Sequence, residues 1–155
     1  MISDYPAPAI LDTLWHNITE NLTREFEKHV RIQGHIWGEL DSAFALSYAH
    51  HFTRVIAADC LWMSHEHTNF LKSMSHFLSL EARARVYVIA GFHTGREKVA
   101  SFFQDAVSAS DFTIELIWEC DNDGRRRNWD PMRPEEDAGK RKKWLVVAVL
   151  RRADR

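Results

Sequence analysis

Glycine is scarce in this chain of 155 residues, and its six copies stand at positions 34, 38, 91, 95, 124 and 139. No two of them fall in the close spacing of a glycine-rich turn, the device that lets a backbone wrap a phosphate or a cofactor tail. Cysteine is scarcer still. Cys60 and Cys120 each sit in or at the end of an apolar run, which reads as reduced, buried thiols and points to a cytoplasmic site rather than a disulfide framework. No apolar run approaches the roughly 20 residues needed to cross a membrane, and Met1-Ile-Ser-Asp-Tyr-Pro is not a signal peptide. The sequons at Asn17 and Asn21 are then chance matches on a helix. The formal charge is only −2, so no global field recruits nucleic acid or an anionic membrane.

What the chain does have is one domain's worth of residues and enough apolar content to bury a core. Pro8 near a first turn opens a helical pattern over 9–28, carried by Ile10, Leu11, Leu14, Trp15, Ile18, Leu22 and Phe26. Residues 30–37 alternate as a strand closed by Gly38. Residues 52–62 read as a buried strand, and Ser64 as the N-cap of a helix reaching Leu80. A continuous apolar strand follows from Arg85, then a helix from Thr94 or Gly95 carrying Val99, Phe102 and Phe103. Residues 112–119 and 143–150 close the chain as two strands, separated by a polar, charged loop over 121–142. Strand–helix alternation predicts an α/β fold, a mostly parallel sheet with helices on both faces and an antiparallel C-terminal hairpin.

The segment from Arg54 to His67 is the most informative. An apolar strand runs into Asp59 and turns directly into a helix, and open α/β sheets build ligand sites at such strand ends. Asp59 can bind a substrate amine or act as a base; alternatively it caps the helix that follows. His93, placed after the strand that begins at Arg85, can line the same crevice, serve in acid–base chemistry or simply brace the turn before Gly95. His65, His67 and His93 lack the Cys and carboxylate companions of a metal centre, so no metal is expected. Arg125-Arg126-Arg127 and Lys140-Arg141-Lys142-Lys143 make the long loop basic, a pattern typical of a solvated loop. Glu115 and Glu119 alternate with Leu116 and Trp118 and so read as solvent-facing.

Taken as an ordered set, Asp4-Tyr-Pro, Trp37-Gly38, Ala57-Ala58-Asp59-Cys60-Leu61-Trp62, Gly91-Phe92-His93-Thr94-Gly95-Arg96 and the closing Trp144-Leu-Val-Val-Ala-Val-Leu are similar to fungal nicotinamide N-methyltransferase-like proteins. These form part of the lysine-methyltransferase-like branch of class I S-adenosylmethionine (SAM)-dependent methyltransferases. The resemblance implies an incomplete Rossmann-like methyltransferase sheet. In the family a first strand and a glycine-rich loop hold the methionine end of SAM, and this sequence has no counterpart of either. By the same resemblance Asp4 meets the ribose hydroxyls, Trp37 lies beside the adenine and Ala58 belongs to the cofactor-binding set, while Asp59 and His93 stand as the catalytic candidates.

Three functions follow as expectations. One is a truncated methyltransferase whose methyl transfer is lost or partner-dependent. Another is a cofactor-independent cyclase or isomerase of fungal secondary metabolism acting on a small molecule in the remnant cleft. The last is a non-catalytic binding subunit. Because the missing family strand is central, each implies open strand edges covered by a second copy in a homodimer, or by a partner chain.

Overall fold

A computed structural model of the chain describes residues 1–134 and 142–153. Its elements in chain order are β1 (Ile2–Asp4), α1 (Pro8–Asn21), α2 (Arg24–Glu27), β2 (Ile32–Gly34), α3 (Ala43–Ser47), β3 (Arg54–Ala58), α4 (His67–Phe77), β4 (Arg85–Gly91), α5 (Arg96–Ser101), β5 (Phe112–Asp121), β6 (Arg126–Asn128) and β7 (Trp144–Arg152). A 3-10 turn, Ser64–Glu66, leads into α4, and a π-helical turn, Phe102–Ala106, extends α5. The fold is mixed α/β. No helix among the described residues is long and apolar enough to cross a membrane.

The strands form two separate sheets. β1 and β2 pair in parallel on their own, and the other five run in the order β3-β4-β7-β5-β6. Only β3 and β4 are parallel neighbours in the larger sheet, because a helical crossover joins them. β7 then enters between β4 and β5 and is antiparallel to both, while β5 and β6 form a hairpin. The expectation of a mostly parallel sheet is therefore corrected: β5 keeps the direction of β4, but the reversed final strand separates them.

The main core lies on one face of this sheet. Val86, Val88 and Ala90 of β4 register against Leu150, Ala148 and Val146 of β7, and all six are buried. Phe70, Leu71 and Met74 from α4 and Val99 with Phe102 from the α5 segment cover them in a single apolar cluster. Both helices thus pack on one face, not on two as alternation predicted. β3 departs from expectation too. It was read as a buried strand, yet it is the sheet's outer edge and Ile56 is 70% exposed. The helical pattern over 9–28 breaks at Leu22, whose amide closes on Ile18 before α2 starts. Ser64 opens the 3-10 turn with no capping bond, and Glu66 is the N-cap of α4.

Glu119 shows how a local irregularity overrides strand periodicity. A register shift between Ile114 and Leu116 on β5 reverses the phase of its alternation. Leu116 is turned out to 57% exposure and Glu119 is turned in to full burial. Its carboxylate accepts from Arg96 at 2.7 Å and from Arg127 at 2.8 Å, and Arg133 stands 3.5 Å away. Arg96 lies over the Phe92 ring at 4.1 Å and Arg127 over Trp144 at 3.7 Å, so the network ties α5, β5, β6 and β7 together. The basic triplet at 125–127 is accordingly structural in part. Lys140 and Arg141 lie outside the described residues.

Burial by itself raises the Glu119 pKa, but the hydrogen bonds from Arg96 and Arg127 overcome it and hold the carboxyl below its ordinary 4.5. The stabilisation is complete above that value and is lost as pH falls through the lower native one. Glu119→Gln should cost about 3–5 kcal/mol at neutral pH, because it leaves buried guanidinium charge uncompensated. Thermal denaturation should then shift down by roughly 10 °C, with the gap to the unmodified protein closing at pH values where Glu119 is protonated.

Candidate functional site

Asp59 follows the last residue of β3 in the left-handed region, at φ 55°. Its amide still donates to the Ile89 carbonyl of β4 at 2.7 Å, so the main chain continues the parallel ladder while the side chain is thrown clear of the strand line. An L-residue takes this backbone at a cost, and Asp and Asn are among those that tolerate it. One carboxylate oxygen, Oδ1, is 3.3 Å from the Gly91 amide at the end of β4, and the other, Oδ2, is 3.5 Å from His93 Nε2. Both side chains remain accessible, Asp59 at 60% and His93 at 47%. Asp59 does not cap α4.

Gly91 is what allows this pairing. A Cβ there would come within 2.8 Å of His93 Nδ1, so only glycine lets the imidazole fold back over the strand end towards Asp59. The two residues open onto a cleft of about 380 Å³ lined by Ala58, Ile89, Ala90, Phe92, Leu145 and Lys142. A carboxylate beside an imidazole, an apolar floor and a lysine at the rim make a site suited to a small protic ligand with an apolar body.

The structure brings Ala58, Asp59 and His93 into one cleft and leaves Trp37 out of it. The Trp37 ring packs on Phe70 with centroids 4.5 Å apart and joins the edge of the main core, which accounts for a flat residue at that position. Asp4 ends β1 on the smaller sheet. It does not cap α1, whose N-cap is Ala7, and its Oδ1 accepts from the Tyr5 amide at 2.7 Å. Its charge nonetheless reaches the Asp59 turn: burial, then Asp4, then Asp59 push the Cys60 thiol up to about 11, with the thiol donating to the Ala58 carbonyl at 3.3 Å. The carboxyl ends of β1 and β3 therefore share one electrostatic neighbourhood.

The histidines at 65 and 67 do not join the site. His67 is buried, bonded to the Leu61 carbonyl at 3.1 Å and set edge-on to Phe102, and burial lowers its pKa. Among the described residues no group of three or more His, Cys, Asp or Glu side chains could hold a metal ion.

A SAM molecule would need a cradle for its methionine end, and the described glycines do not build one. At Gly34 and Gly38 a Cβ would strike Pro6 and Asn69, so those positions serve internal packing, and at Gly95 and Gly124 it would meet open space. Asp4 at a strand end fits a ribose contact, and Trp37 is half-buried, with one ring contact to Phe70. The described residues thus do not complete a cradle for the methionine end of SAM.

Comparison with known proteins supports a methyltransferase-like relationship at low identity. The chain is 28% identical over 122 residues to the protein N-terminal and lysine N-methyltransferase efm7 of Schizosaccharomyces pombe, an alignment covering 76% of this chain and 47% of that protein. The chain thus spans about half the length of that relative. No family model matches.

With its pKa near 11, Cys60 is a neutral thiol at physiological pH, and thiolate is the reactive form. Iodoacetamide labelling of Cys60, followed by peptide mass spectrometry, should accelerate only as the pH approaches that value. Full labelling at mildly alkaline pH would place the thiol in different surroundings.

Proposed function

We propose that this chain is a methyltransferase-like protein that retains the acceptor side of the site and binds a primary amine between Asp59 and His93. The observation that carries this reading is the placement of the Asp59 carboxylate and the His93 imidazole 3.5 Å apart at adjacent parallel strand ends. An amine docked there donates to Asp59 Oδ2, while Oδ1 is steadied by the Gly91 amide. His93 Nε2 is positioned to take the proton an amine must lose before it can act as a nucleophile. The relative's printed activity, on protein N-termini and lysine, makes an amine on a polypeptide the favoured acceptor.

Methyl transfer in this reading depends on a further polypeptide, because the described residues lack a methionine cradle. When bound, SAM would supply the methyl group; this chain supplies the acceptor's orientation and its proton acceptor. A second reading, acid–base cyclisation or isomerisation without a cofactor, draws on the apolar lining from Ile89, Phe92 and Leu145 around the same pair.

Isothermal titration separates these ideas. The isolated chain should show no binding of SAM or S-adenosylhomocysteine even at millimolar ligand, and should bind a lysine-bearing peptide with an affinity that Asp59→Asn weakens at least about tenfold. Micromolar SAM binding would overturn the partner dependence. Peptide binding indifferent to Asp59→Asn, or absent, would overturn the amine assignment.

A further inference from the structure

His35 follows β2 directly and lies buried against α4. Its ring stands edge-on to Phe44 and Phe77, with centroids 5.8 Å and 4.9 Å away. Nε2 is 2.9 Å from Ser73 Oγ, which also accepts from the Gly38 amide at 2.8 Å. Nδ1 is buried with no hydrogen-bond partner. A neutral imidazole can stay there in either tautomer, because the Ser73 hydroxyl can donate to Nε2 or accept from it. An imidazolium carries N–H on both nitrogens, and the one at Nδ1 is then charged, buried and unbonded.

The segment around this ring is lightly held. Three side-chain hydrogen bonds join residues 35–48 to α4: those of Ser73 Oγ to His35 and Gly38, and that of His76 Nε2 to the Ala45 carbonyl at 2.8 Å. Trp37 rests on Phe70 at the near end, and Phe44 and Ala45 form with Phe77 a small buried cluster separate from the main core. Beyond it the backbone fixes the chain again, with the His50 amide donating to the His76 carbonyl and the Phe52 amide to that of Phe77. Segments with few buried contacts open at low free-energy cost. The ionisable groups on the elements packed around His35 are Asp4 of β1, His76 of α4, Tyr48, His50 and His51 after α3, and Arg152 of β7, which stands 3.4 Å from His50. Among them His76 acts on the His35 ring by charge, and no carboxylate does.

We propose that His35 is an acid-sensitive latch: its proton is accommodated only when the ring leaves α4 and Nδ1 reaches water, so residues 35–48 open in acid while the large sheet stays folded. Burial first, and the charge of His76 second, hold the native His35 pKa below its ordinary 6.5. The open form, with the ring in water, takes its proton near that ordinary value. The latch is therefore fully closed above it and loosens as pH falls below it. The His35 amide donates to the Asp4 carbonyl at 2.8 Å, so the opening reaches the Asp4 strand end. The latch requires neither the amine site nor a cofactor.

Hydrogen exchange read by mass spectrometry, at about pH 7.5 and about pH 5 and corrected for intrinsic rates, tests this. Exchange in residues 35–48 should rise about tenfold or more at the lower pH, while β4 and β7 stay protected. His35→Gln, neutral at both pH values, should remove the rise, and His76→Gln should keep it. In the unmodified chain, long-range proton–nitrogen NMR spectra should show the His35 ring neutral wherever the segment is protected. A segment equally protected at both pH values would overturn the latch. So would a rise shared equally by β4 and β7, a rise that persists in His35→Gln, or a charged His35 ring inside a protected segment.

Discussion

The arrangement of the larger sheet depends on β7 lying between β4 and β5. A final strand could have added at an edge; instead it occupies the middle of the sheet and bonds along both of its sides. Its register with β4 aligns the buried residues of the core and also sets Leu145 opposite Gly91. The floor of the Asp59 cleft is therefore built by a segment more than eighty residues distant in sequence, and the cleft inherits its rigidity from the best-packed part of the molecule.

The N-terminal part is built on a different principle. β1, β2 and α1 form a parallel pair with a helix beside it, close-packed enough that Gly34 has no room for a side chain against Pro6. Yet most of the apolar surface of α1 faces outwards, and the small sheet shares no ladder with the large one. A short two-stranded ribbon is marginal by itself in water. The β4–β7 core is buried along its length, whereas α1 buries only Ile18 among its described residues.

Much of the element order was legible in the sequence. The strand Arg85–Gly91 alternates buried and half-buried residues over its full length, and the helical spacing of Phe70, Leu71 and Met74 marks the buried face of α4. Asp59 and His93 were also legible, because strand-end residues before a turn are where α/β sheets display polar side chains. The Trp37 contact was not, since nothing in a local window says which of two flat surfaces a tryptophan will meet, a ligand or Phe70. Glu119 was misread for a plainer reason: alternation assumes an unbroken strand, and one irregularity before Leu116 exchanged the two faces. Its only trace in the sequence was the nearby arginine triplet, which lacked an assigned anion.

Periodicity, strand-end chemistry and the scarcity of glycine follow from the order of residues alone, because each depends on neighbours a few positions apart. They determined the class of fold, the elements that build it, the acidic strand end and the lack of a glycine cradle. Strand adjacency, the phase reversal in β5, the burial of Glu119 and the exposure of β3 depend on contacts between residues tens of positions apart. Such contacts are selected by the free energy of the whole packed sheet, so only the tertiary structure could decide them.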